Sequence, residues 1–186
     1  MTAENITRSP EFERVPDNDR KFIVLNGPID LSVIGNEVAV AYDMTVDYIV
    51  IDDDGSGNYS ETKVVSKRYD DGTTHLLKIS KSKVNGYRHA EKNAVESHDY
   101  EQLVSTPIKH LQKRRYECTY THSDGSKFNL KYDVFESGKL YMIEVGASPS
   151  NPQAVFDVAG FPADLREVSD NKDYEGHQIV DTLAKL

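Results

Sequence analysis

The sequence contains a single cysteine, Cys118, and no tryptophan. One cysteine excludes an intrachain disulfide and a cysteine-based metal site. No apolar run approaches the length of a membrane span, and the first residues contain no apolar signal core. We therefore expect no membrane partner, and a lone thiol is compatible with the cytoplasmic location that we predict.

Several common catalytic signatures are also missing. The six histidines show no zinc-ligand spacing. There is no glycine-rich phosphate-binding loop. Neither Ser148 nor Cys118 stands in a nucleophile motif. These absences exclude P-loop enzymes and leave zinc sites and covalent catalysis without a sequence signal.

Positive charge is scarce relative to negative charge. The chain has 31 acidic and 22 basic residues among 186, which gives a formal net charge of -9. Bulk attraction to nucleic acid is therefore disfavoured, although local basic clusters can still bind small anions. The length predicts one domain, with a polar segment at 1–16 and a single domain at 17–186.

The abundant residues predict strands joined by tight turns. Residues 21–25, 37–52, 61–69, 73–81, 84–95, 114–121, 127–135 and 139–145 are rich in β-branched and aromatic residues. Asp70-Asp71-Gly72 is a strong hairpin signal. Short helices are predicted around 31–34, 98–103 and 107–111, and after Asn151. The pattern favours an α+β protein built on an antiparallel barrel or a strongly curved sheet.

One stretch suggests chemistry. In a strand over 17–24, Asp17, Asp19 and Lys21 share one face because side chains alternate. Two carboxylates and an ammonium suit a hard metal ion that carries a phosphate. The alternative is that these residues are only a polar segment that precedes an ordinary strand. A rival acid pair, Glu11 and Glu13, has Val15 where its lysine would be.

This stretch and others in the same order resemble the CYTH superfamily, the triphosphate tunnel metalloenzymes. The order and spacing agree from about Asp17 to Ile179. The matching segments are Asp17-x-Asp19-x-Lys21, Lys63 to Arg68, Leu76 to Ile79, Arg88 to Val95 with Glu91, Lys113-Arg114-Arg115-Tyr116, Asp133-Val134-Phe135, Glu144-Val145-Gly146, and 164–170 followed by Tyr174.

The resemblance implies an eight-stranded antiparallel barrel with a few outer helices and a cationic lumen. It implies catalytic roles for Lys21 and Glu144 and a Mg²⁺ or Mn²⁺ cofactor. The substrate-binding residues that it implies are Lys21, Lys67, Lys78, Arg88 and Arg115. The metal ligands that it implies are Asp17, Asp19, Glu91, Asp133 and Glu144.

Two features of the sequence leave alternatives open. Strand register decides which basic side chains face the lumen. On one strand the choice is between Lys63 with Lys67 and Arg68. The orientation of Lys78, Lys113 and Lys131 is open in the same way. The paired acids of the family are also incomplete. Two residues after Glu91 and after Glu144, where the second acid of each pair would stand, this chain has Asn93 and Gly146. Each loss removes an oxygen ligand.

We therefore expect a metal-dependent hydrolase of an inorganic or organic triphosphate. The alternatives are a triphosphate- or nucleotide-binding module with weak or lost catalysis and, less favoured, a class IV-type adenylate cyclase. The expected partner is a small-molecule triphosphate or nucleotide and not a nucleic acid. The expected oligomeric state is a monomer or homodimer.

Overall fold

A computed structural model describes residues 19–34, 38–53, 58–84, 87–148, 151 and 153–186. The strands are β1 Arg20–Val24, β2 Val38–Asp53, β3 Tyr59–Tyr69, β4 Thr74–Val84, β5 Tyr87–Ala94, β6 Lys109–Thr121, β7 Lys127–Phe135, β8 Leu140–Val145 and β9 Leu165–Glu167. The helices are α1 Leu31–Ile34, α2 Ser97–Leu103 and α3 Gln178–Leu183, with a 3₁₀ helix at Lys172–Tyr174.

The strands form one sheet in the order β5-β4-β3-β2-β6-β7-β8-β1-β9. Every neighbouring pair is antiparallel, so the predicted antiparallel architecture is confirmed. The closed eight-stranded barrel is not confirmed. Within the described residues β5 and β9 are the sheet edges and do not pair with each other, and both edges of β1 are used for β8 and β9.

Turn chemistry explains the predicted hairpin, which the structure confirms. The turn at 70–73 joins β3 to β4, and Gly72 has φ +85°, a conformation that side chains disfavour. The carboxylate of Asp71 accepts a hydrogen bond from the Thr73 amide at 2.8 Å. These local contacts set the register of the two long strands that the turn joins.

Two of the four predicted helices are wrong. Residues 107–111 do not form a helix, since β6 begins at Lys109 and pairs with β2 and β7. Leu111 is buried there as one position of a strand alternation. After Asn151, the described residues 153–159 are not helical. Phe156 of this segment packs into an apolar cluster on the sheet. The helices at 31–34 and 98–103 correspond to α1 and α2.

The alternation of strand residues produces two apolar clusters on opposite faces of the sheet. In β1, Phe22 belongs to the outer cluster and Ile23 to the inner cluster. Segment 154–163 covers the outer cluster, whereas α3 inserts into the inner one. The outer cluster contains Phe22, Val24, Leu130, Tyr132, Ile143, Phe156 and Phe161. The inner cluster contains Ile23, Val46, Tyr48, Val65, Ile79, Leu111, Phe135, Met142, Ile179 and Leu183.

Candidate functional site

The inner faces of eight strands surround one cavity, which we call the central cavity. It encloses about 370 Å³. Alternate residues of each strand point into it, as Lys113 and Arg115 do from β6 and Lys131 and Asp133 do from β7. Because β1 to β8 all contribute, the sheet curves strongly enough to bring distant strands to one space.

Positive charge is concentrated in this cavity although the whole chain is acidic. The described lining contains eight cationic side chains and five carboxylates, in a chain of net charge -9. The cations are Lys21, Lys63, Lys67, Lys81, Lys92, Lys113, Arg115 and Lys131, and the carboxylates are Asp19, Glu61, Glu117, Asp133 and Glu144. The excess of positive charge suits a small polyanion.

Arg115, Asp133 and Lys113 form a buried charged group. The Arg115 guanidinium donates to both Asp133 oxygens at 2.6 Å, and Lys113 Nζ lies 2.7 Å from Oδ2. Burial raises the pKa of Asp133, but Lys113 and Arg115 outweigh it and hold that pKa below its usual value. Burial and the nearby Arg115 lower the pKa of Lys113 to about 8, although Asp133 opposes them.

A second group stands between this cluster and solvent. Lys131 Nζ lies 2.6 Å from Glu144 Oε1 and 3.8 Å from Asp19 Oδ2. Arg115 approaches Glu144 at 3.6 Å, and the Asp19 carboxyl lies next to Glu144. Burial raises the pKa of Glu144, but Arg115 and Lys131 hold it well below its usual range. Glu144 is therefore an anion at neutral pH and suits the role of a ligand better than that of a proton donor.

Lys67 differs from the other buried cations because no described carboxylate forms an ion pair with it. Its Nζ lies 4.6 Å from the centre of the Tyr42 ring, and Tyr42 donates its hydroxyl proton to Glu117 at 2.6 Å. Burial lowers the pKa of Lys67, and so do the neighbouring cations Arg115, Lys92 and Lys131, although Glu117 opposes them. An anion placed among these like charges would relieve their repulsion.

The far end of the central cavity is lined by buried polar residues and by α3. Lys63 Nζ donates to Glu61 at 2.7 Å, and His177 Nδ1 lies 3.4 Å from the other Glu61 oxygen. Glu61 is only 2% exposed and His177 5%. Ile179 also lines the cavity here.

The structure brings together most of the predicted site residues. Lys21, Lys67 and Arg115 line the central cavity with Asp19, Asp133 and Glu144. On β1 and β8, Lys21 and Glu144 are direct cross-strand partners. Three further lysines, whose orientation the sequence leaves open, also face the cavity: Lys63, Lys113 and Lys131. Arg68, by contrast, is exposed and pairs with Asp43.

Other predicted site residues lie elsewhere. Lys78 is exposed on the outer face, because its neighbours Leu77 and Ile79 line the cavity. The side chain of Glu91 lies on the opposite face of β5 from Lys92, which lines the cavity. It accepts a hydrogen bond from Asn93 at 2.9 Å. The backbone of Arg88 pairs with Lys83, but its side chain lies outside the described part. Asp17, Glu11 and Glu13 also lie outside the described residues.

The described residues give limited support for a metal centre. Among them, no three His, Cys, Asp or Glu side chains converge in a way that could hold a metal ion. Both oxygens of Asp133 are already engaged by Arg115 and Lys113. The adjacent carboxyls of Asp19 and Glu144 are the other pair, and Glu144 is itself engaged by Lys131 and Arg115. Asp19 also occupies the space beside Gly146, where a Cβ would lie 3.5 Å from Oδ1.

Sequence reasoning missed four charged residues of the cavity, Glu61, Lys81, Lys92 and Glu117. A signal for Lys81 was present, since it has the same parity as the apolar residues Leu77 and Ile79. That parity also predicts an outward Lys78. The alternation of side chains along β4 therefore predicts the orientation of Lys78 and Lys81 better than the family motif does.

Comparison with known proteins gives the fold. No protein-family model and no curated protein matches the chain. A crystal structure of the inorganic triphosphatase NE1496 matches with 22% identity and a TM-score of 0.52, over 87% of this chain and 92% of that one. A second crystal structure, of the hypothetical protein NE1496, matches with 22% identity and a TM-score of 0.50, over 87% and 95%. The predicted likeness to a triphosphatase-type fold is therefore confirmed at the level of the fold.

The search for membrane-crossing helices gives one further result. No helix in the described part of the chain has the length and apolar character that crossing a bilayer requires.

Proposed function

We propose that this chain binds a triphosphate in the central cavity and hydrolyses its terminal phosphate with the help of Mg²⁺ or Mn²⁺. The observation that carries the proposal is the cluster of like charges around Lys67 inside an acidic protein. Burying cations without full compensation is costly, and such sites are characteristic of anion recognition. The triphosphatase-type fold supports the same conclusion.

The cations of the cavity can hold a linear polyanion along its length. Arg115 offers a planar, charged guanidinium held in place by Asp133. Lys67, Lys113 and Lys131 surround it as point charges from three strands. A triphosphate needs several fixed cations because its charges sit on linked oxygens.

Asp19 and Glu144 fit the protein share of a magnesium-type site. Such a site commonly uses one or two carboxylates and completes its coordination with phosphate oxygens and water. Glu144 is held ionised by Arg115 and Lys131, so it remains a ligand at neutral pH. A divalent ion bound there would neutralise phosphate charge and polarise the terminal phosphorus.

The proposed reaction is the hydrolysis of one phosphoanhydride bond. Water adds to the terminal phosphorus, the bond to the bridging oxygen breaks, and phosphate and the shortened phosphate chain leave. The part of this chain is to hold the substrate: Arg115 and Lys131 balance negative charge on the transferred group and the leaving group. Lys21, the cross-strand partner of Glu144, contributes a further cation at the cavity wall.

The first test measures phosphate release from tripolyphosphate and from ATP with Mg²⁺ or Mn²⁺. Glu144→Gln keeps the size of the side chain but removes its charge, and Lys21→Ala removes an ammonium. We expect each to lower kcat by about 100-fold or more, as the loss of an electrostatic contact in a phosphoryl-transfer site does. Glu91→Gln is the matched control because Glu91 lies outside the cavity, and its kcat should be unchanged.

A second candidate function is a binding module without efficient turnover. It is favoured because, among the described residues, no three His, Cys, Asp or Glu side chains converge in a way that could hold a metal ion. Tripolyphosphate binding that depends on Arg115, without turnover in either metal, would select the binding module. Absence of both binding and turnover would contradict both candidates.

A further inference from the structure

Three aromatic rings lead from the central cavity towards solvent at the end of the β3–β4 hairpin. Tyr42 lines the cavity and is buried, Tyr69 is partly exposed, and His75 is exposed. The centres of the Tyr42 and Tyr69 rings lie 5.1 Å apart, and those of the Tyr69 and His75 rings lie 5.0 Å apart. Tyr69 and His75 stand beyond the residues that line the cavity, and we call them the outer rings.

Strand pairing places the outer rings beside two cations of the phosphate site. Tyr42 is the cross-strand partner of Arg115 on one side and of Tyr69 on the other. In the neighbouring row of the sheet, Lys67 is the cross-strand partner of His75. Because cross-strand partners lie on the same face of a sheet, the outer rings share the inner face with Arg115 and Lys67.

The outer rings also lie at the distance from the phosphate site that an organic triphosphate requires. Tyr69 follows Lys67 by two residues on β3, which separates their Cα atoms by about 7 Å. The pentose of a nucleotide spans a comparable distance between its 5′-phosphate and its base. Phosphates held by Lys67 and Arg115 therefore leave the base within reach of the outer rings.

Aromatic side chains beside a cationic site suit a ligand that has both a flat ring and phosphates. Bases stack on aromatic side chains while nearby cations hold the phosphates. The face of an aromatic ring carries partial negative charge, so the outer rings add nothing to the binding of inorganic phosphate. Tyr69 packs between Tyr42 and His75, and these contacts hold its ring in place before a ligand arrives.

We propose that the substrate is a nucleoside triphosphate whose base stacks on Tyr69 and His75, and not inorganic tripolyphosphate. The phosphate chain lies among the cations of the central cavity, and the base lies outside it on the outer rings. The inference rests on the proposed function, because it names the substrate class of the same site. It assigns to Tyr69 and His75 the choice between organic and inorganic triphosphates.

Three probes separate the contribution of the base from that of the phosphates. The full chain is titrated calorimetrically in a chelator with ATP, with ribose 5-triphosphate, which lacks the base, and with tripolyphosphate. We expect ATP to bind about tenfold or more tightly than ribose 5-triphosphate, as one stacked base predicts. Equal affinity of the chain for these two esters would overturn the inference.

Ring variants test where the base binds. Tyr69→Leu and His75→Leu should each weaken ATP binding about fivefold or more and leave the affinity for ribose 5-triphosphate unchanged. Tyr69→Phe keeps the ring and loses only the hydroxyl, so it should bind ATP as the parent does. His98→Leu, at an exposed histidine of α2, is the matched control.

The remaining outcomes count against the inference in different ways. Equal weakening of both esters by Tyr69→Leu and by His75→Leu would show that the outer rings only support the shape of the cavity. Unchanged ATP affinity in both variants would place the base elsewhere. Binding of all three probes with no gain from the base would overturn the inference alone. Binding of none of the three would overturn the proposed function and the inference together.

Discussion

Most buried charged side chains in the central cavity have a partner of opposite charge, and those without one indicate where a ligand binds. Asp133 and Glu144 each have two cationic partners, so their charges are compensated within the protein. Lys67 has an aromatic ring and like charges around it. A cation kept under such conditions is more useful for binding than for stability.

The first prediction at the residue scale separates these two properties at Lys67. Lys67→Met removes a partly buried charge that has several cations as neighbours, and it keeps the aliphatic volume. We expect the free energy of unfolding to stay within about 1 kcal/mol of the parent value or to rise. Tripolyphosphate affinity should fall about tenfold or more, as expected for the loss of one hydrogen bond to a charged group. Calorimetric titration and urea unfolding measure the two quantities, and a large loss of stability would argue for a structural role.

The second residue prediction concerns Lys113 and pH. Its pKa of about 8 lies below the ordinary 10.5, so its charge is lost as the pH rises through about 8. A bound anion favours the charged form, and we therefore expect proton uptake on binding tripolyphosphate above about pH 8. Titrations in buffers of different ionisation enthalpy detect this uptake. Lys113→Met should remove that part of the uptake, and an unchanged uptake in the variant would assign it to another group.

At the scale of elements, β9 is a short strand that pairs with β1 and also forms an ion pair with it. Arg20 donates to both oxygens of Glu167, at 2.9 and 2.7 Å. This contact lowers the pKa of Glu167 from its ordinary 4.5 to about 2. The pair also positions the chain that continues into the 3₁₀ helix and α3.

The Arg20–Glu167 pair predicts a specific acid dependence. A lowered carboxyl pKa stabilises the fold above about pH 4.5, and this contribution is lost as the pH falls towards about 2. Both side chains are partly exposed, so screening limits the contribution to about 1 kcal/mol or less. Unfolding of Glu167→Gln should therefore differ from the parent at pH 7 and converge with it near pH 2. Glu101→Gln, on the exposed α2, should match the parent throughout.

The short helix α3 is predicted to depend on burial and not on helical propensity. It has six residues, fewer than an isolated helix needs. Leu183 is 1% exposed within the inner cluster, and Leu183→Ala should cost about 2–5 kcal/mol of unfolding free energy. Leu186→Ala is the matched control because Leu186 is 69% exposed. Similar losses in both variants, measured by denaturant unfolding, would contradict the packing described for α3.

At the scale of the whole molecule, an acidic surface surrounds a cationic interior. The net charge of -9 repels large polyanions, whereas the cavity attracts an anion small enough to enter it. We expect a labelled DNA duplex with 5′-hydroxyl ends not to bind, even at low salt, under conditions in which tripolyphosphate does. Fluorescence anisotropy measures this directly. Displacement of tripolyphosphate by the duplex would show that the cations are reachable from the outer surface.

Local physics made much of the fold predictable. Turn residues such as Asp71 and Gly72 impose hairpins through their own backbone preferences. Alternating apolar and charged residues mark strands, and antiparallel pairing follows when short turns connect them. The low cysteine content and the net charge excluded whole classes of site before any contact was known.

Only the tertiary structure decided which side chains meet. The parity of Leu77 and Ile79 already separates Lys81 from Lys78, but only the pairing of β3 with β4 places Lys81 opposite Glu61. The meeting of Asp19 with Glu144 depends on the pairing of β1 with β8, whose members are more than a hundred residues apart in sequence. The sequence by itself determined strands, turns and charge. The sheet's curvature, its open edge and the position of α3 required long-range packing, which no local pattern encodes.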